Sequence, residues 1–211
     1  MNYSVVYEII LSRETQKKGK TMNITGHFKT ITRHRHLVMK NCFKAGIPIN
    51  GLLHDLSKYS PAEFIPGIMN YEKGKRSPNE HEREIKGYSS AWLHHKGRNK
   101  HHFEYWFDIS TKTKQYEPLR MPLCYLKETF CDRVAACKIY KGDGYKDSDP
   151  LEYYLSKRPD AGYKLMHPCT ACILEKWLKM LATEGEKATF DHIRKIGAIK
   201  YCTFCPRRGN K

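Results

Sequence analysis

Histidines and aspartates recur along the chain in an order that could build a metal site. One histidine lies in a predicted helix, a His-Asp pair follows a turn, and a further histidine ends another predicted helix. A His-His pair and a later helical aspartate complete the set. Neutral imidazole and carboxylate are common ligands of iron, zinc and manganese, and helices that each donate one or two of them can enclose an ion. In chain order the candidate metal ligands are His34, His54, Asp55, His95, His101, His102 and Asp132.

Helical periodicity separates His95 from its neighbour His94. One helix is predicted to start at Ser77-Pro78 and to carry Ile85, Tyr88, Trp92 and His95 on one face, since His95 lies ten residues, close to three turns, after Ile85. The side chain of His94 is then rotated by about 100°. We therefore expect His95, rather than His94, to point into the protein.

The same reasoning favours His34, which shares a helix side with Ile31 and Val38. For the pair His101 and His102, spacing does not say which side chain points inward. The prediction therefore keeps both.

Asp132 occupies an unusual position in its predicted helix. It does not lie on the apolar stripe that contains Leu123 and Phe130, because nine residues from Leu123 is about half a turn round. It shares a second face with Glu128. If Asp132 binds a metal, this helix must be buried on two sides.

The elements that position these residues are predicted to be helices. Apolar residues recur at helical spacing, and Ser-Pro, Asp-Pro and His-Pro pairs are typical of helix starts. Helices are predicted over Ile24 to Lys44 and Met121 to Tyr140, and from Ser60-Pro61, Ser77-Pro78, Asp149-Pro150 and His167-Pro168 onward. Within this pattern the first-turn Glu63 has the position of a capping residue. No run of alternating apolar residues indicates a strand, so the fold class is predicted to be all-α.

The motif Leu52-Leu53-His54-Asp55-Leu56-Ser57-Lys58 resembles the doublet motif of the HD-domain superfamily of metal-dependent phosphohydrolases. The segment from Tyr88 to Trp106 resembles a small bacterial branch of unknown function. The resemblance covers residues 24–140 and implies an HD-like helical bundle, which further helices over residues 149–211 would complete. It also implies one or two divalent ions, iron, manganese or zinc, with Asp55 bridging and Lys58 contacting a phosphate.

The function predicted from this resemblance is hydrolysis of a phosphorylated small molecule, such as a nucleotide or a phosphate ester, with Asp55 and Lys58 as the catalytic residues. Some members of the superfamily hold two irons and activate oxygen instead. A di-iron oxygenase is therefore the alternative function.

Two C-x-x-C pairs near the end of the chain suggest a second kind of site. They are Cys169 with Cys172, and Cys202 with Cys205. Four thiolates at such spacing are typical of a structural zinc ion, although buried free thiols are common in helical packing. With zinc, a non-catalytic nucleic-acid or protein-binding module becomes a third interpretation.

Composition narrows the class of protein. The 211 residues carry a formal net charge of +16, which favours an anionic partner, although a solvated basic surface also explains it. Nucleic acid is only weakly supported, and nothing indicates an oligomeric state. No stretch approaches the roughly 18 to 20 apolar residues of a membrane helix, so we expect a cytoplasmic protein whose cysteines are thiols or metal ligands. Glycine-rich phosphate loops and G-x-S-x-G motifs are absent from the sequence.

The first 21 residues differ from the rest, because they end in a polar, basic stretch before Met22. Residues 1–21 are therefore predicted to be an extension, with an alternative translation start at Met22. Residues 22–211 are predicted to form a single helical domain.

Overall fold

The computed structural model describes residues 23–72, 76–157 and 165–197. These residues form eight α-helices and three short 3-10 turns, which confirms the all-α prediction. The helices are α1 (Ile24–Lys44), α2 (Pro48–Leu53), α3 (Pro61–Asn70), α4 (Pro78–Lys86), α5 (Ser90–Lys96), α6 (Leu123–Lys141), α7 (Asp149–Lys157) and α8 (Pro168–Lys195). The 3-10 turns are Leu56–Tyr59, Phe103–Tyr105 and Gly142–Gly144.

Helix α1 has the bounds predicted from the sequence. The Asn23 side chain accepts a hydrogen bond of 2.7 Å from the backbone N–H of Gly26 and caps the first turn. His27, Ile31, His34 and Val38 are buried along one face, at the three- and four-residue spacing of a helix. This face carries a candidate ligand, His34, among core residues.

Helix α6 lies at the centre of the fold and packs against α1, α2 and α8. All six residues 126–131 are buried, so the helix is covered around its circumference. Phe130 packs edge-on against Trp177 and Phe190 of α8. A metal-binding Asp132 requires this helix to be buried on two sides. The structure meets this requirement.

The region from Ser77 to His95 corrects the prediction of one continuous helix. Gly87 adopts a left-handed conformation with φ of 81° and ends α4. Helix α5 starts afresh, with the Ser89 hydroxyl accepting from the Trp92 N–H at 3.1 Å. Counting turns from Ile85 to His95 was therefore invalid, although His95 is buried.

Two very short strands also differ from the sequence prediction. Strand β1 (Phe107–Ile109) pairs antiparallel with β2 (Tyr116–Pro118). Three residues are too few for an alternating pattern to be recognised. Apart from this hairpin and an isolated bridge between Glu72 and Arg76, the regular secondary structure of the described residues is helical.

The hydrophobic core joins α1 and α6 to the C-terminal helices α7 and α8. Within the described ranges, no helix combines the length and the apolar content needed to cross a membrane. The predicted extension, residues 1–21, lies outside the described residues.

Candidate metal centre

Among the described residues, three groups of side chains could hold a metal ion, and two of them consist entirely of residues that the sequence singled out. The first cluster consists of His34, His54 and Asp132, and the second cluster consists of Asp55, His95, His101 and His102. In each, the potential ligand atoms lie within 4.8 Å of one another. The structure thus brings together all seven residues that the sequence singled out.

The carboxylate of Asp55 lies between the two clusters. Its Oδ2 atom is 3.2 Å from Nε2 of His54 in the first cluster. Its Oδ1 atom is 3.3 Å from Nε2 of His95 and 3.6 Å from Nε2 of His101 in the second. One carboxylate therefore presents a separate oxygen to each cluster.

The remaining distances within the clusters are also short. In the first, Nε2 of His34 lies 2.9 Å from Oδ1 of Asp132. In the second, the Nε2 atoms of His95 and His102 are 2.9 Å apart. Burial, with the nearby His101 and His95 rings, holds the pKa of His102 well below its ordinary value, which keeps this imidazole neutral, the form that binds metal.

Several of these atoms are buried without a hydrogen bond. Among the described residues, Nε2 of His34, His54 and His101 and Oδ1 of Asp55 have no partner with hydrogen-bond geometry. Leaving such groups unpaired costs about 1 to 3 kcal/mol each. The three nitrogens lie 3.2 to 3.9 Å from an oxygen of the Asp55 carboxylate. Metal ions with nitrogen and oxygen ligands would therefore satisfy these atoms.

Local backbone structure brings the His-Asp pair into the centre. Asp55 has a left-handed φ of 52°, a conformation that aspartate tolerates better than most residues. Upstream, Gly51 lets α2 approach α1 closely, because a Cβ there would lie 2.7 Å from Cβ of Cys42. The chain turn and the close approach together place His54 and Asp55 beside His34.

Glu63 does not have the capping role predicted for it. Its two oxygens lie 2.7 Å from Nδ1 of His94 and 2.7 Å from Nδ1 of His95. Hydrogen bonds from these rings, against the opposing effect of burial, lower the pKa of Glu63. A glutamate in the first turn after Ser60-Pro61 is explained by helix capping alone. The capping role predicted for Glu63 was therefore wrong.

Glu128 is a second buried carboxylate next to the clusters. Its Oε1 atom is 2.8 Å from Nδ1 of His54 and 3.2 Å from Nδ1 of His101. Burial raises the pKa of Glu128, but the hydrogen bonds from the two rings have the larger, opposite effect, and the net pKa is about 2. From the spacing alone, Glu128 was expected on the helix face of Asp132, but no function was predicted for it.

Lys58 stands at the edge of the centre. Its Nζ atom is 2.6 Å from Oδ2 of Asp55, and its side chain is 29% exposed whereas that of Asp55 is 2% exposed. Burial lowers the pKa of Lys58, but the Asp55 carboxylate outweighs this and the net shift is upward. Lys58 is therefore a fixed positive charge between the buried carboxylate and solvent.

The cysteine site predicted from the C-x-x-C pairs is only half described. Cys169 and Cys172 lie in the first two turns of α8, while Cys202 and Cys205 are outside the described residues. Cys172 is a free thiol. The structural zinc ion stays a prediction.

The fold and the centre define an all-helical protein with a buried His/Asp cluster that could bind metal. The chain belongs to a family of unknown function (DUF5662), whose model matches residues 23–180. Searches of curated proteins and of solved structures found no match.

Proposed function

We propose that this protein is an HD-type metal-dependent hydrolase of a phosphorylated small molecule. Each cluster would hold one divalent ion, iron, manganese or zinc, and Asp55 would offer one carboxylate oxygen to each cluster. The observation that carries the proposal is the convergence of buried, unpaired Nε2 atoms of His34, His54 and His101 on Asp55. His54 and Asp55 also form the doublet in the motif that resembles HD-domain hydrolases.

The donor set fits such ions. Imidazole nitrogens and carboxylate oxygens suit iron, manganese and zinc, and the two clusters contain no thiolate. Glu63 and Glu128 accept hydrogen bonds from the distal ring nitrogens of three of the histidines, the arrangement typical of metal-binding histidine. When bound, two divalent ions would supply Lewis-acid polarisation of a phosphoryl oxygen and an activated water.

The residues of the chain bind and orient the substrate. The positively charged ammonium of Lys58 lies between the centre and solvent. There it can contact a phosphate oxygen and stabilise developing negative charge. Asp55 holds the Lys58 ammonium in place through the 2.6 Å contact. The net charge of +16 attracts anionic substrates toward the protein.

Phosphate release tests the proposal. Protein purified without a metal-affinity tag is supplied with manganese, iron or magnesium and assayed against nucleotides and phosphate esters. We expect release by the wild type, none by the His54→Ala/Asp55→Ala double variant, and a roughly 100-fold or greater loss for Lys58→Met. The matched control is Lys187→Met, because that lysine side chain is 92% exposed.

The alternative function shares the same ligand chemistry. Two irons held by nitrogen and oxygen ligands also suit oxygen activation. Silence across the phosphate panel, together with oxygen uptake by the iron-loaded protein on a small polyol or phosphonate, would replace the hydrolase by an oxygenase.

A further inference from the structure

We infer that Glu128 is a positioning residue that prepares one histidine of each cluster for metal binding and so couples the two metal affinities. The inference rests on the proposed function, because it assumes that both clusters bind ions. It assigns a role to a carboxylate that lies outside both clusters.

The geometry of Glu128 supports this role. Oε1 accepts from Nδ1 of His54 at 2.8 Å and from Nδ1 of His101 at 3.2 Å, and Oε2 accepts from the Asn50 amide at 2.9 Å. The Glu128 side chain is only 7% exposed. The carboxylate is thus held from two sides, and its direction is determined by the fold.

These contacts select one tautomer in each ring. An ionised carboxylate only accepts hydrogen bonds, so the Nδ1 atoms of His54 and His101 must carry the protons. In a neutral ring the lone pair is then on Nε2. The Nε2 atom of His54 faces Asp55 and Asp132, and that of His101 faces Asp55.

Helix α6 also fixes the backbone of His101. The hydroxyl of Thr129, next to Glu128, donates to the carbonyl of His101. One turn of α6 therefore holds His101 at both its ring and its backbone. Since Asp132 lies one turn further along, a shift of α6 would disturb both clusters at once.

Another arrangement uses the same atoms differently. Oε1 of Glu128 and the Nδ1 atoms of His54 and His101 could themselves hold an ion. Both rings would then have to present Nδ1 as a ligand, and their Nε2 atoms could no longer act as neutral ligands in the two clusters. Three buried Nε2 atoms without hydrogen-bond partners, those of His34, His54 and His101, lie around Asp55 and favour the first arrangement.

Glu63 provides an internal comparison. It accepts from Nδ1 of His95, a member of the second cluster, and from His94, which belongs to neither cluster. Removal of Glu63 should therefore weaken the binding of one ion, whereas removal of Glu128 should weaken the binding of both ions.

The test measures metal affinity. Cobalt and zinc affinities are determined by competition with a chelator for wild type, Glu128→Ala, Glu128→Gln and Glu63→Ala. Each ion should bind about 10- to 100-fold more weakly to Glu128→Ala, and only one ion more weakly to Glu63→Ala. Glu128→Gln keeps an acceptor oxygen and should restore both affinities to within a few-fold. Cys131→Ala, a buried change one turn away on α6, controls for general loosening of the helix.

Spectra of the wild type make the test independent of any variant's folding. In the zinc-loaded protein, nitrogen and proton NMR should show protonated Nδ1 atoms for both His54 and His101. A proton on Nε2 of either ring would overturn the inference, as would loss of only one ion in Glu128→Ala or unchanged affinities in that variant.

Two further outcomes separate the two proposals. Three ions in the wild type and two in the Glu128 variants would make Glu128 a ligand and refute its positioning role. A wild type that binds no metal at all would instead refute the proposed function itself.

Discussion

The two clusters differ in how much each depends on a single carboxylate, and this leads to a quantitative prediction for Asp132→Ala and Asp55→Ala. Asp132 is the carboxylate of the first cluster, 2.9 Å from His34. Asp55 presents one oxygen to each cluster. Loss of Asp132 should therefore release one ion, whereas loss of Asp55 should weaken both and leave the charge of Lys58 unbalanced beside them.

The magnitude follows from linkage between binding and folding. An ion at a free concentration of 100 times its Kd stabilises the folded state by about 2.7 kcal/mol. For a chain of this size each kcal/mol raises Tm by about 2 to 4 °C, so each ion should contribute about 5 to 11 °C. We expect the metal-induced rise in Tm to fall by about half in Asp132→Ala and almost to vanish in Asp55→Ala at that concentration.

The assay is thermal unfolding of each variant with and without manganese, together with elemental analysis. Subtracting the metal-free Tm of the same variant removes the direct effect of the substitution on folding. Asp143→Ala, which removes an exposed carboxylate just after α6, is the matched control and should keep the full rise. Equal losses in Asp132→Ala and Asp55→Ala would refute the argument that Asp55 alone serves both clusters.

Three more predictions concern stability. Phe130→Ala should destabilise the fold by about 3 to 5 kcal/mol in urea unfolding, because a fully buried ring is removed from the core; a loss under 1 kcal/mol would contradict the packing of α6. Gly51→Ala should cost about 1 to 3 kcal/mol and lower metal affinity, because its Cβ would collide with α1; unchanged affinity would mean that this close approach does not position His54. Burial raises the pKa of Glu82, but hydrogen bonds from Lys86, Ser89 and Ser90 have the larger, opposite effect, and the net pKa is about 2. The ionised Glu82 carboxylate therefore contributes its full stabilisation of the folded state above the ordinary carboxyl pKa, and this stabilisation is lost as pH falls toward 2. In urea titrations the stability difference between wild type and Glu82→Gln should shrink between about pH 5 and pH 3; a difference independent of pH would show that the charge of Glu82 does not stabilise α5.

Local sequence determined the fold class and the identity of the clustered residues. Helix α1 follows its predicted bounds because its apolar spacing and its cap are short-range properties. His34 lies on the buried face with Ile31 and Val38, as the spacing predicted, because the helix is continuous between them. The order of histidines and aspartates sufficed to select the residues that the structure brings together.

Local reasoning failed where one signal has two meanings. Gly87 ends α4 in a left-handed conformation, yet a glycine within a helical pattern is also tolerated inside a helix. Glu63 occupies a capping position but bonds to histidines 31 and 32 residues away. Both errors arose because short-range patterns carry no information about distant partners.

The arrangement of the seven residues into two clusters was decided by tertiary structure alone. Asp55 reaches both clusters because α2 packs closely on α1 and because its own backbone turns into the left-handed region. Glu128 contacts His54 across 74 positions of sequence. Residue types establish which ligands the chain offers, while the packing of α6 among α1, α2 and α8 determines which oxygen faces which nitrogen, because those distances depend on how whole helices cross.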